Sequence, residues 1–277
     1  MGLFCASQRQ SWSTGRTLSG YRLMTVTQLI IVLIGGFLAG IINTLAGNGS
    51  AITLSILTEV LGLPGNLANG TNRVGILFQS MVGIAKFKQK GMLHLEKSKW
   101  IILTILLGAA IGGIVAINVS NEQFKFVFKL LMLLMLVVVL VKPSRWIHPH
   151  QDENQVSPYI LYPILLVLGF YGGFIQMGMG VFFLAVMVLL AKYDIMSANS
   201  IKLVVVGLFT AVVIPIFHFK GLIDWKIGGL MAIGQSGGAY MAVQMASKWK
   251  NANLYAYRLL VLIIILVLLR IFGILGF

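Results

Sequence analysis

Acid is scarce in this sequence. Seven Asp and Glu stand against 21 Lys and Arg in 277 residues, a formal charge of +14. The single cysteine, Cys5, excludes an intrachain disulfide and a cysteine-built metal cluster. Charged residues of both signs make up only 10% of the chain, whereas a soluble domain carries about a quarter. Histidine is sparser still, with four residues. His148 and His150, beside Asp152 and Glu153, read as a solvated loop, because two ligands from one flexible loop do not close a metal site. The chain shows no Ser/His/Asp or Cys/His arrangement, no zinc-helix motif and no Walker loop. No enzyme chemistry, metal or cofactor is indicated.

Apolar sequence fills the space instead. The chain is 58% hydrophobic, with a mean hydropathy of +0.93. Its apolar runs are long and continuous, unlike the alternating segments of about 10 residues in a β-barrel. The reading is an all-α integral membrane protein, multi-pass, of the bacterial inner-membrane type. Full-length candidate spans lie at 26–46, 72–87, 99–118, 124–142, 159–177, 200–217, 227–246 and 255–275. That gives about eight transmembrane helices, each needing about 20 apolar residues. Two shorter runs, 50–63 and 181–191, suit broken or re-entrant segments. In this setting the basic excess points to positive loops and anionic lipid rather than to nucleic acid. Residues 1–24, with three Arg and no acid, read as a basic tail, and Met24 is a second candidate start beside Met1.

The stretch 143–158, with three prolines, reads as a polar linker between 25–142 and 159–277. These two parts match in order, as two tandem internal repeats. "AGIIN" (39–43) pairs with "GGFIQ" (172–176), "GNG" (47–49) with "GMG" (178–180), "LAN" (67–69) with "SAN" (197–199), and "FKQKGML" (87–93) with "FHFKGLI" (217–223). "LLGAAIGG" (106–113) matches "QSGGAYMAV" (235–243) more loosely. Eight spans with non-spanning short runs place the basic loops 86–99, 142–145 and 218–226 on one side with both termini, and that side is expected to be cytoplasmic. Lys248 and Lys250 fall on the other side in this scheme.

Each short run follows a glycine-rich break. Unwound backbone in lipid leaves N–H and C=O groups unpaired at several kcal/mol each, so a break persists only inside protein or beside a wet cavity. Helix N-termini favour anions, and paired breaks in two halves of a transporter point to a midplane site. Gly47, Asn48, Gly49 and Ser50 in the first break, with Gly178 and Gly180 in the second, are therefore candidate substrate-binding residues. Gly36, Gly40, Gly108 and Gly112 fit helix packing instead. Pro64-Gly65 marks a turn, Asn69-Gly70-Thr71 offers a helix cap, and Arg73 then opens an apolar helix. Lys202 is its counterpart in the second half. Two cations at matching depths suggest an anion site, with snorkelling to headgroups as the alternative. Glu59 is the only carboxylate within an apolar run, which argues against an elaborate proton relay.

At these residues the sequence resembles the TauE/SafE sulfite-exporter-like family of membrane permeases. The resemblance rests on Gly40, Gly47-Asn48-Gly49, "LGLP" (61–64), "LANGTN" (67–72) and "FKQKG" (87–91), then on Gly172-Gly173, Gly178-Met179-Gly180, "SANSIK" (197–202) and "FHFKG" (217–221). It covers 26–277. It implies a transporter of small sulfur-containing or organic anions, often outward. Asn43, Asn48 and Gln176 add amides able to donate to an oxyanion, and the second break looks shorter than the first. The expected function is a permease for a small anion such as sulfite or an organosulfonate, an exporter. An anion channel, and a membrane scaffold or assembly factor without transport, are the alternatives. The expected partners are the small anion and membrane lipid.

Overall fold

The computed structural model of the chain describes residues 24–91, 98–140, 156–193 and 195–248, with residues 93, 95, 258 and 265. The basic tail, nearly all of the linker with His148 and His150, and the expected span 255–275 except two residues lie outside the described residues. Every regular element among the described residues is helical. In order these are α1 (Val26–Leu45), α2 (Gly49–Ser55), α3 (Gly65–Gln89), α4 (Lys99–Ala116), α5 (Asn121–Leu140), α6 (Pro158–Phe174), α7 (Met179–Ala185), α8 (Ile195–Phe219) and α9 (Trp225–Lys248). α2 and α7 each continue into one π-helical turn, Ile56–Val60 and Val186–Leu190.

Local sequence explains several boundaries. Thr25 and Gln28 form a reciprocal capping box, with Gln28 N donating to Thr25 Oγ1 at 3.2 Å and Thr25 N to Gln28 Oε1 at 3.1 Å. Pro158 occupies the first turn of α6, where its missing N–H costs nothing. Val26–Leu45, Lys99–Ala116 and Ser197–Phe219 are long and apolar enough to cross a membrane, and Gly49–Val60, Pro158–Phe174 and Met179–Val188 are shorter apolar helices. Ile30 and Ile34 on α1, and Leu103, Leu107, Ile111 and Ile114 on α4, recur at helical spacing and face outward. Such apolar stripes suit hydrocarbon.

One helix start differs from expectation. α3 begins at Gly65, directly after Pro64, so Asn69, Gly70 and Thr71 lie inside the helix and Arg73 more than two turns in. Tertiary partners override the local cap signal. Asn69 Nδ2 donates to the Phe174 carbonyl at 2.7 Å, and Thr71 Oγ1 accepts from Asp224 N at 2.9 Å. The long, polar helix α3 is tolerated because α8 and α9 pack along it.

Glycine crossings hold the bundle together. α1 runs beside α9 and α4 beside α6, the two most extensive contacts of the fold. A Cβ at Gly40 would come 2.9 Å from Gln235 Cα, and one at Gly112 would come 2.8 Å from the Phe170 carbonyl carbon. Gly36 and Gly108 lie against neighbouring backbone in the same way. These contacts let backbones approach closely.

α2 folds back along α1. Gly49 lies against Ala39 and Asn43, and the side chain of Ile56 reaches Gly35. The second hairpin closes similarly, with Val156 N donating to the Leu190 carbonyl at 3.3 Å. Each hairpin therefore returns to the end of the bundle where it began. This places the loop after α3 and the turn before α9 at opposite ends. Asp224 touches Thr71 near the start of α3, whereas Phe87 near its finish packs with Leu93, Leu203 and Val243. The expectation that loops 86–99 and 218–226 share one side is thus corrected. A returning hairpin changes the parity of crossings, which counting apolar runs had assigned otherwise.

Geometry recurs along the chain. Gly49–Ser55 and Met179–Ala185, the two π turns, and Gly65–Gln89 and Ile195–Phe219 are each offset by 130 residues. Left-handed backbone recurs at Gly62 (φ 66°) and Lys192 (φ 58°), then at Gly91 (φ 67°) and Gly221 (φ 65°). Leu61 N donates to Ile56 O and Ala191 N to Val186 O, both at 3.0 Å. From the packing glycines onward the second break is the more compact, since Met179 follows Gly173 sooner than Gly49 follows Gly40.

Candidate functional site

The two breaks touch. α1 ends at Leu45, Gly47 takes φ 83°, and Asn48 stands as N-cap of α2. α6 ends at Phe174, Gln176 and Gly178 take φ 62° and 71°, and α7 starts at Met179. A Cβ on Gly47 would lie 2.8 Å from Gly180 Cα, and a Cβ on Gly180 would lie 2.6 Å from Gly47 Cα. Gly47 is thus required twice, for its backbone angle and for the approach. Gly49 and Ser50 are buried in the first turn of α2, where N–H groups lack intrahelical acceptors.

The open carbonyl ends of α1 and α6 are closed from across the molecule. Arg73, on α3, donates through Nη2 to the Gly173 carbonyl at 2.5 Å and to Phe174 O at 3.5 Å. Its Nη1 donates to Gly172 O and to Gln176 Oε1, both at 3.4 Å. The guanidinium sits 4.9 Å from the ring centroid of Phe217. Lys202, on α8, donates to Asn43 O at 3.2 Å, Thr44 O at 3.0 Å and Asn199 Oδ1 at 2.7 Å. Each cation meets the negative end of a helix dipole. Arg73 is 0% exposed and Lys202 2%. Their hydrogen-bond partners among the described residues are carbonyl or amide oxygens, with no carboxylate to offset this charge.

The remaining candidates divide clearly. Asn43 Nδ2 donates to Gln79 Oε1 at 3.3 Å, and Gln176 Nε2 to Thr210 Oγ1 at 2.9 Å. Both amides are held by protein. Asn48 is not: it is fully buried at the N-cap of α2, and neither Nδ2 nor Oδ1 has a partner. Buried polar atoms are almost always satisfied, and an orphaned one costs about 1–3 kcal/mol. Glu59 lies away from this centre, exposed on a π turn, in a recess of about 160 Å³ with Lys125 and Lys129.

Sequence reasoning missed Asn69, Asn199, Gln79 and Thr210, which hold the breaks in place. A signal for the first two was present, because "LAN" and "SAN" match between the halves.

Comparisons with known proteins point to a family of membrane transporters. A family model described as "Sulfite exporter TauE/SafE" matches residues 32–271. A "Probable membrane transporter protein ORF9" from Sinorhizobium sp. is 27% identical over 231 residues, covering 81% of this chain and 84% of that protein. A "Probable membrane transporter protein" of Haemophilus influenzae is 27% identical over 219 residues, covering 78% of this chain and 84% of its own. The "Probable membrane transporter protein YfcA" of Escherichia coli K12 is 22% identical over 229 residues, covering 83% and 84%. No solved structure matches the chain.

Proposed function

Since the chain belongs to the TauE/SafE sulfite exporter family, and is an integral membrane transporter, we propose that it is a permease for a small anion, with sulfite or an organosulfonate as first substrate and export as its direction. The observation that carries this is Asn48, buried at the contact of the two breaks with an unused amide. An oxyanion there would accept from Asn48 Nδ2 and from the first-turn N–H groups of α2 at Gly49 and Ser50. Gly178 and Gly180 give the second break its approach to the first. Arg73 and Lys202 act through the field of two buried positive groups, while their hydrogen bonds, with Asn43 and Gln176, keep the breaks shaped. A substrate anion supplies the counter-charge that this centre lacks, and buried charge without a counter-charge is costly.

The recurrence at 130 residues supports two repeats, 25–142 and 159–277, joined by 143–158 and inserted in opposite senses. Rocking one against the other would open the site to each face in turn. One end carries six lysines among the described residues, Lys86, Lys88, Lys90, Lys99, Lys192 and Lys248, and the other four, Lys125, Lys129, Lys220 and Lys226. The first end is therefore the cytoplasmic one. The Val26 end then faces away from the cytoplasm, opposite to the placement expected for the N-terminus. A potential negative inside assists efflux by about 2.3 kcal/mol per charge per 100 mV.

Flux of sulfite, sulfate, thiosulfate, sulfoacetate and chloride in proteoliposomes tests the reading. Saturable movement of a sulfur anion is expected, at least tenfold slower in Asn48→Leu and abolished in Asn48→Asp. Non-saturating flux would indicate a channel. Absence of flux from folded protein would sink the permease.

A further inference from the structure

Gln235 is the anomaly of the α1–α9 crossing. It is 1% exposed, its Nε2 has no partner, and it stands between two glycines. A Cβ on Gly40 of α1 would meet Gln235 Cα at 2.9 Å, and a Cβ on Gly75 of α3 would meet Gln235 Cδ at 2.8 Å. Gly40 admits the backbone of α9 at Gln235, and Gly75 gives up a side chain on α3 to admit its amide. Asn72 lies three residues before Gly75 on the same helix face, fully buried, with both amide atoms unpartnered. Gln79, one turn beyond Gly75, bonds Asn43 beside the first break.

The other half has no such amide at the crossing, and its position matching Asn72 holds Lys202, which is bonded to the carbonyls of Asn43 and Thr44. α4 crosses α6 as α9 crosses α1, and there Ala109 lies against Gly173 as Gln235 lies against Gly40. Around it Val205 and Phe209, at the positions matching Gly75 and Gln79, join Ala109 in an apolar cluster. The crossing itself therefore does not need an amide. Buried amide atoms left unpartnered on the adjoining helices α3 and α9, at Asn72 and Gln235, are costly unless something occupies them.

From this we infer that Gln235 and Asn72 form a second solute station between α1, α3 and α9, leading from the first break along α3. It offers neutral amide groups and no cation, so it takes a small oxyanion more weakly than the breaks do. The oxyanion rests on the permease reading; the unpartnered amides of Gln235 and Asn72 do not. A solute leaving Asn48 would pass Gln79 and then be handed to Gln235 and Asn72.

The test compares two cysteines in a Cys5→Ser chain. Gln235→Cys should react with a small charged thiosulfonate at least tenfold faster than Ala109→Cys during turnover in proteoliposomes. Equal rates, or no reaction at either, overturn the station. In parallel, Gln235→Leu and Asn72→Leu should raise the KM for the transported anion at least fivefold in protein that elutes as wild type does. A KM within twofold of wild type, with only thermal stability changed, would mean ordered water alone and would also overturn it. If the wild type carries none of the anions, the permease reading falls, and the cysteine contrast still decides whether the pocket is wet.

Discussion

Arg73 Nη2 lies 2.5 Å from the carbonyl oxygen of Gly173, so a side chain from the first half of the chain closes a helix of the second. Lys202 returns the arrangement on α1. Replacing Arg73 by alanine leaves the Gly172 and Gly173 carbonyls without this donor, while Phe174 O keeps Asn69. Such a loss is worth about 1–3 kcal/mol, and the melting temperature in detergent should fall by roughly 2–12 °C. Arg73→Lys should recover only part, because an ammonium keeps the charge and loses the fork. Equal melting of wild type and Arg73→Ala would show that the cap carries no stability.

Three glycines separate backbone angle from space. Gly180→Ala should abolish monodisperse protein, because its Cβ would meet backbone on Gly47 that has nowhere to move. Gly62→Ala has open space but a positive φ, so a loss of about 1–2 kcal/mol is expected. Gly229→Ala has open space in mid-helix and should be stabilising by up to about 1 kcal/mol. Thermal melts of the three, beside wild type, check this order.

Cysteines at Lys90 and Lys220, in a Cys5→Ser chain, should label from opposite faces of intact cells. Lys220→Cys should react with an impermeant maleimide from outside, and Lys90→Cys only after permeabilisation. Labelling of both from one face would restore the arrangement in which the basic loops share a side.

The breaks were legible because Gly-x-Gly inside an apolar run has few bland explanations, and because it occurs twice. The pairing of Arg73 with Lys202 was legible from their matching positions. What the cations touch was not, since nothing local in "NGTNRVG" (69–75) says that α3 stands beside the end of α6. The Asn-Gly-Thr cap signal was real chemistry outweighed by partners far along the chain. Loop sidedness failed for a topological reason: one hairpin that returns reverses every later loop. Gln235 was hidden in a stretch that matched its counterpart only loosely, and that mismatch is where the two halves differ in chemistry.

The crossed caps also set a clock. The carbonyls of Asn43 and Lys202 Nζ are 159 residues apart in the chain. At a synthesis rate of about 5–20 residues per second, the end of α1 waits roughly 8–30 s for its donor. During that interval the nascent first half holds an unclosed helix end, so its assembly is completed only by the late arrival of the second. A ribosome stalled in the linker would leave an intermediate that quality control can recognise.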